Sequence, residues 1–185
     1  LAAAGVRVPQ PYTCVDGVLL MELVTDSEGL VAPRLSEVIL SAEDAVRDHA
    51  TVMRFVVRML CAGLVHGDLS EFNILVDENG PVIIDLPQAV DAAANNNAEA
   101  MVERDVNKIR SYYGQFAPQL LKTQYAKEIW KLFEDGELQA DSKLTGTFAE
   151  NLTDADVDGV LEVIESVKEE EQQRQERKIE AENQP

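Results

Sequence analysis

No lysine precedes Lys108 in this chain of 185 residues, and no glycine-rich phosphate loop occurs anywhere in it. A phosphate cradle clamped by a strand lysine is therefore excluded from residues 1–107. Long apolar runs are missing too. None approaches the roughly 20 residues that span a bilayer, and no basic segment followed by an apolar one opens the chain as a leader would. Basic residues are scarce, 16 against 34 acids, for a formal charge of -18. Nucleic-acid backbones call for a basic face, so a general nucleic-acid binder is excluded, and the acidity reads as a solubility device. The two cysteines, Cys14 and Cys61, show neither metal-ligand spacing nor a disulfide framework. Cys61 sits in an apolar helical context and is expected in the core. The expected compartment is the cytoplasm.

What is present is 45% hydrophobic residues, enough for one sizeable domain or one domain with a tail. Leu1 to Gly5 predicts the last turn of a helix, and Val8-Pro9-Gln10-Pro11 an extended segment. Thr13 to Val15 and Val18 to Leu23 predict a hairpin around Asp16-Gly17. Ser41-Ala42-Glu43-Asp44 opens a long amphipathic helix carrying Ala45, Val46, His49, Val52, Met53, Val56, Val57 and Leu60, which ends near Gly63. His49 falls on its apolar side as a packing residue. Gln88 to Asn97 reads as loop. Ala98 to Tyr113 predicts a helix with Met101, Val102, Val106, Ile109 and Tyr113 on one face. Leu120 to Phe133 predicts another, with Leu121, Tyr125, Ile129, Trp130 and Phe133. A last helix starts at Thr153 and carries Val157 to Val167, and the charged stretch 168–185 is a solvated tail.

The stretch His66-Gly67-Asp68-Leu69-Ser70-Glu71-Phe72-Asn73-Ile74-Leu75 is the centre of this pattern. Asp68 stands five residues before Asn73, and Asp85 closes the next apolar run. Short β-branched segments, Asn73 to Val76 and Val82 to Asp85, flank Asp77-Glu78-Asn79-Gly80. The Asn-Gly pair there favours the positive φ angles of a tight hairpin turn. Such a hairpin brings Asn73 and Asp85 to neighbouring strand ends, where both reach one cation, and two hard oxygen ligands suit Mg²⁺. Phosphoryl transfer asks for this set: a carboxylate to orient the attacking hydroxyl, and an amide oxygen and a second carboxylate to hold the metal. Taken singly, the Asp is a turn or cap residue, the Asn closes an Asx-turn, and His66 is a packing histidine. The spaced set carries the functional reading.

These motifs, with Ile83-Ile84-Asp85-Leu86-Pro87-Gln88, Val18 to Val24 and Glu103-Arg104-Asp105-Val106-Asn107, resemble the RIO kinases, atypical serine/threonine protein kinases, and their first branch in particular. The resemblance covers roughly residues 1–150. It implies an α+β fold: a kinase-like C-terminal lobe, mainly helical, with a small β-hairpin at the active site. Residues 1–25 would be the end of an N-terminal lobe and the hinge, 26–167 the C-terminal lobe, and 168–185 the tail. It implies ATP and Mg²⁺ as cofactors, Asp68 as catalytic base, and Asn73 and Asp85 as metal ligands, with Asp85 also a transient phosphate acceptor. Met21 would back the adenine pocket, the Glu22 carbonyl and Val24 N–H would bond the adenine edge, Leu75 and Ile84 would line it, and Ser70 belongs to the same nucleotide site. Asp105 would hold the catalytic loop in shape. Ordinary protein kinases carry lysine where Ser70 stands, and serine cannot neutralise a transferring phosphoryl group. Pro87 makes a flip of the metal-binding segment unfavourable.

The implied partners are ATP, a protein substrate or the chain itself, and a precursor of the small ribosomal subunit. Without a phosphate loop or strand lysine, the sequence reads as the C-terminal lobe of a longer protein and is expected to be inactive alone. Two other readings stay open. One is a small-molecule phosphotransferase of the aminoglycoside or choline kinase type, which usually carries histidine at the place of Ser70. The other is a non-catalytic kinase-fold binding module, which residues upstream of Leu1 would discriminate.

Overall fold

The computed structural model describes residues 1–148. The expected helix from Thr153 and the tail 168–185 lie outside the described residues. Helices and three small two-stranded antiparallel sheets alternate, an α+β arrangement. Strands β1 (Pro11–Val15) and β2 (Val18–Met21) form the first hairpin. The longest helix, α1 (Ala42–Cys61), leads into β3 (Leu64–Val65), which pairs with β6 (Val90–Asp91). Between them, β4 (Ile74–Asp77) and β5 (Gly80–Ile83) form the second hairpin. Helices α2 (Ala98–Tyr113) and α3 (Tyr125–Glu134) follow.

Helix α1 begins where Ser41 Oγ accepts the Asp44 N–H at 3.0 Å, with Glu43 and Asp44 in the positive first turn and Arg58 in the last. Its buried face includes Ala45, His49, Val52, Met53, Val56, Val57 and Leu60, and also Phe55 and Met59. Val46, expected on that face, lies exposed. The α1 face packs against Val102, Val106, Ile109 and Tyr113 of α2 and Ile129 of α3 in one continuous core. Each fully buried aliphatic side chain there contributes roughly 1.5–3 kcal/mol.

Several expectations are corrected. The helix expected over 120–133 is broken: Pro118–Lys122 is a 3-10 turn, Thr123 is extended, and α3 starts at Tyr125. Thr123 Oγ1 bonds the Leu120 carbonyl at 2.7 Å, and the Gln124 N–H goes to Gly146, so the α-helical ladder cannot run through. Leu121 is accordingly exposed rather than part of the stripe. Cys61 is also exposed, on the last turn of α1, with Sγ 3.6 Å from the Leu138 carbonyl; apolar neighbours in sequence did not reveal which face it takes. The region 88–97 is not all loop, since β6 closes against β3 there. In the β4–β5 turn only Gly80 has positive φ, 100°, whereas Asn79 donates its N–H to Asp77 Oδ1. The Asx-turn thus displaces the expected two-residue positive-φ turn.

Candidate functional site

One face of α2 holds the loop between β3 and β4. Positions 104, 105 and 108 share that face by helical spacing. The Arg104 guanidinium donates to the Gly67 carbonyl, Asp105 Oδ2 accepts the Gly67 N–H at 2.9 Å, and Lys108 Nζ donates to Asp68 Oδ1 at 3.0 Å. Asp105 is buried, and burial pushes its carboxyl up, while the Gly67 amide and the Arg104 charge oppose that shift. Asp68 is shifted the other way: the hydrogen bond from Lys108, followed by its charge and that of Arg104, holds its carboxyl below the usual carboxylate range.

The other side of the loop is tied to the segment after β5. His66 is buried with both ring nitrogens engaged, Nδ1 with the Asp68 N–H at 3.3 Å and Nε2 with the Ile84 carbonyl at 3.0 Å. A carbonyl only accepts, so Nε2 donates and Nδ1 accepts. His66 is thus a strut between loop and strand end. Gly67 has φ 82°, and a Cβ there would stand 2.7 Å from the Gln88 carbonyl oxygen. Only glycine admits that approach.

Asn73 is held by side chain and by backbone. Its Nδ2 donates to the Asp68 carbonyl at 2.8 Å, and its own carbonyl accepts the Ile84 N–H at 3.0 Å. With the amide nitrogen committed, the side-chain oxygen is the ligand atom it offers. Asp85 follows Ile84 with φ 64°, a left-handed conformation that a non-glycine residue adopts at some cost in strain. Asn73 and Asp85 thus flank the open end of the β4–β5 ladder, whose last pair is Ile74 with Ile83. Two oxygen donors fit Mg²⁺, which takes few protein ligands and completes its octahedron with water and phosphate oxygens. Among the described residues no group of three His, Cys, Asp or Glu forms a cage for a metal.

Beside this end lies a cavity of about 660 Å³, lined by Val8, Leu19, Met21, Ile84, Asp85 and Pro87 among others. Met21, Ile84 and Asp85 therefore share one concave, largely apolar space. The remaining candidates do not line this cavity. Ser70 is buried, and its carbonyl accepts the Asn73 N–H at 3.0 Å. Leu75 packs in a small cluster with Val24, Ala32 and Val82. Glu22 follows β2, its N–H donating to the Gln10 carbonyl and its carboxylate accepting the Gln10 N–H. The Glu22 carbonyl and the Val24 N–H carry no hydrogen bond among the described residues. Lys108 is the site residue that sequence reading passed over. Its signal was the spacing, three residues beyond Asp105 on one helical face.

Comparison with known proteins gives the family. The RIO domain family model matches residues 1–127. The chain is 42% identical over 113 residues to the RIO-type serine/threonine-protein kinase Rio1 of Haloferax volcanii, covering 60% of this chain and 37% of that protein. It is 35% identical over 130 residues to RIO-type serine/threonine-protein kinase Rio2 of Methanocaldococcus jannaschii, covering 70% and 46%. Serine/threonine-protein kinase RIO2 of Saccharomyces cerevisiae is 32% identical over 120 residues, covering 61% and 26%. The chain spans less than half the length of each of these relatives. By a family match over more than half of its residues, the chain belongs to the RIO domain family.

Proposed function

We propose that this chain carries the phosphoryl-transfer centre of an ATP- and Mg²⁺-dependent RIO-type serine/threonine protein kinase or ATPase. The observation that carries the reading is the double hold on Asn73. The side-chain amide donates to the Asp68 carbonyl and the backbone carbonyl accepts the Ile84 N–H, at the hairpin end where the next residue, Asp85, lines the cavity. Asp68 orients and deprotonates the attacking hydroxyl. Asn73 and Asp85 would hold the metal, which would supply positive charge against the phosphates. Residues 1–25 form the hinge side, with Met21, Glu22 and Val24 along the adenine edge and Leu75, Ile84 and Ser70 completing the nucleotide site. Residues 26–148, the described part of the expected 26–167, form the kinase C-terminal lobe.

Asp85 also serves as acceptor. A carboxylate oxygen attacks the γ-phosphorus, the bond from phosphorus to the β,γ-bridging oxygen breaks, and ADP leaves with that electron pair, giving an aspartyl phosphate that water later hydrolyses. The partners are a protein substrate or the chain itself and, by family likeness, a small-ribosomal-subunit precursor in the cytoplasm. This sequence alone is expected to be inactive, because it supplies no phosphate loop and no lysine ahead of Lys108.

The test uses the intact protein with Mg²⁺ and γ-labelled ATP and no added substrate. Label released by hydroxylamine supports the acyl phosphate at Asp85. Label that resists both hydroxylamine and acid supports serine or threonine phosphorylation. No label and no ATP consumed would leave the binding module as the better reading. Asp68→Asn is expected to abolish turnover while sparing Mg-nucleotide binding, and Asp85→Asn to weaken metal binding and self-labelling. Undiminished ATP turnover in both variants would overturn the assignment.

A further inference from the structure

We infer that Lys108 is a positioning residue for Asp68: from helix α2 it supplies the cation that the loop lacks at Ser70, holding the Asp68 carboxylate turned for the incoming hydroxyl. The inference rests on the kinase reading of the loop. Three observations carry it. Lys108 Nζ lies 3.0 Å from Asp68 Oδ1, which commits that oxygen and leaves Oδ2 for a substrate proton. Ser70, where a loop lysine would stand, is buried and uncharged, so the cation cannot come from the loop itself. Third, Lys108 shares its helix face with Arg104 and Asp105, which fix the Gly67 backbone, so the ammonium and the loop it serves are referenced to one rigid element.

The pair has little to do for the fold. Both side chains are about two-fifths exposed, 39% for Lys108 and 41% for Asp68, and an ion pair so open to water adds little stability. Its value lies in where it sits. A base must be ionised to accept a proton, and a carboxylate that rotates freely loses orientation in the transition state. The charged groups facing Asp68 are Lys108 and Arg104 from α2, and the His66 imidazole faces it from the loop. Arg104 already serves the Gly67 carbonyl and His66 serves Ile84 and the Asp68 N–H, so Lys108 is the partner that meets the carboxylate itself.

The experiment measures kcat and KM for ATP with the intact wild-type protein and its Lys108→Met and Lys108→Arg variants, alongside unfolding curves for each. Lys108→Met is expected to lower kcat at least tenfold with KM for ATP within twofold and the unfolding midpoint unchanged. Lys108→Arg should recover most of the rate. Unchanged kcat overturns the inference. So does a loss matched by a lower unfolding midpoint, which would make Lys108 merely structural, or a rise in kcat, which would make the pair a restraint. A second readout does not depend on turnover: the side-chain order of Asp68 is measured by NMR relaxation of its methylene in wild type and Lys108→Met. If wild type is inert with ATP, the kinase reading fails, and the relaxation still decides the pair. Greater side-chain motion in the variant supports Lys108 as the positioning partner, and unchanged motion overturns it.

Discussion

The loop over residues 66–75 and the β1–β2 hairpin are both short and both carry candidate site residues, yet they are held in opposite ways. Every residue of β1 and β2 is exposed, including Tyr12, Val15, Val18, Leu19 and Leu20. That hairpin rests on its own ladder and on the Asp16-Gly17 turn, where both residues have positive φ. The loop has almost no structure of its own. Its shape comes from Asp105 and Arg104 on α2 and from Ile84 beyond β5. A site that must hold a carboxylate and an amide to fractions of an ångström needs such external fixing. A strand pair that only lines a cavity does not. Substitutions should therefore cost stability and chemistry together at the loop, and little stability at the hairpin.

The largest effect is expected from Gly67→Ala. The new Cβ would meet the Gln88 carbonyl oxygen at 2.7 Å in a backbone of φ 82°, so the loop or the strand segment must shift. A loss on the order of 3 kcal/mol follows from strain and overpacking together. Denaturant unfolding checks it, and turnover should fall with it. Retained stability and rate would show that the loop is not over-determined.

Next comes acid. Burial, reinforced by the Arg110 charge, lowers the His49 pKa from 6.5 to about 4. A base depressed in the fold binds fewer protons there than in the unfolded chain. Its stabilising effect is complete above pH 6.5 and disappears as pH falls from there towards about 4. The total is roughly 3 kcal/mol. Asp48 and Asp105, whose carboxyls burial pushes up, act in the opposite sense. The effect is therefore read as a difference: His49→Phe should flatten the pH dependence of unfolding in that window. The ring also suits the site, since His49 Nε2 is buried without a partner and its ring packs against Tyr113 and Tyr125. An unchanged pH profile would place the acid-sensitive group elsewhere.

Asp105→Ala ranks third. It strips the buried Gly67 N–H of its acceptor, which costs about 1–3 kcal/mol. Asp105→Asn keeps an acceptor oxygen and should cost less. The ratio of the two losses, from unfolding curves, separates the hydrogen bond from the charge.

How much of this was legible in the sequence follows the same division. Segments with local causes were readable: α1 from Ser41 and its apolar spacing, the β1–β2 turn from Asp16-Gly17, and the place of Asn73 and Asp85 at neighbouring strand ends from the β4–β5 hairpin. What long-range contact decides was not. The Leu64–Val65 and Val90–Asp91 pair is too short for any periodicity to announce. The break at Thr123 depends on Gly146 as hydrogen-bond partner. Cys61 and Leu121 sit in apolar sequence yet face water, because helical phase near an end is set by what packs against it. Lys108 was visible as a helical residue, but its partner lies 40 residues back.

The smallest effect should come from the hairpin, and it is the one that can break the comparison. Leu20→Thr replaces an exposed aliphatic with a β-branched polar residue of good strand propensity. Because Leu20 buries little in this chain, unfolding free energy should move by no more than about 0.5 kcal/mol. Met21→Ala should be nearly as mild in stability. Met21 lines the 660 Å³ cavity, however, so nucleotide affinity, measured by calorimetry on the intact protein, should weaken several-fold. Leu20 is not part of that lining, so its variant should bind as wild type does. A loss of more than about 1 kcal/mol for Leu20→Thr would mean that the hairpin's apolar face is covered in the intact protein, and its tolerance would then vanish. The contrast with the loop would become one of partners, the loop served by α2 and the hairpin by whatever packs on its exposed side.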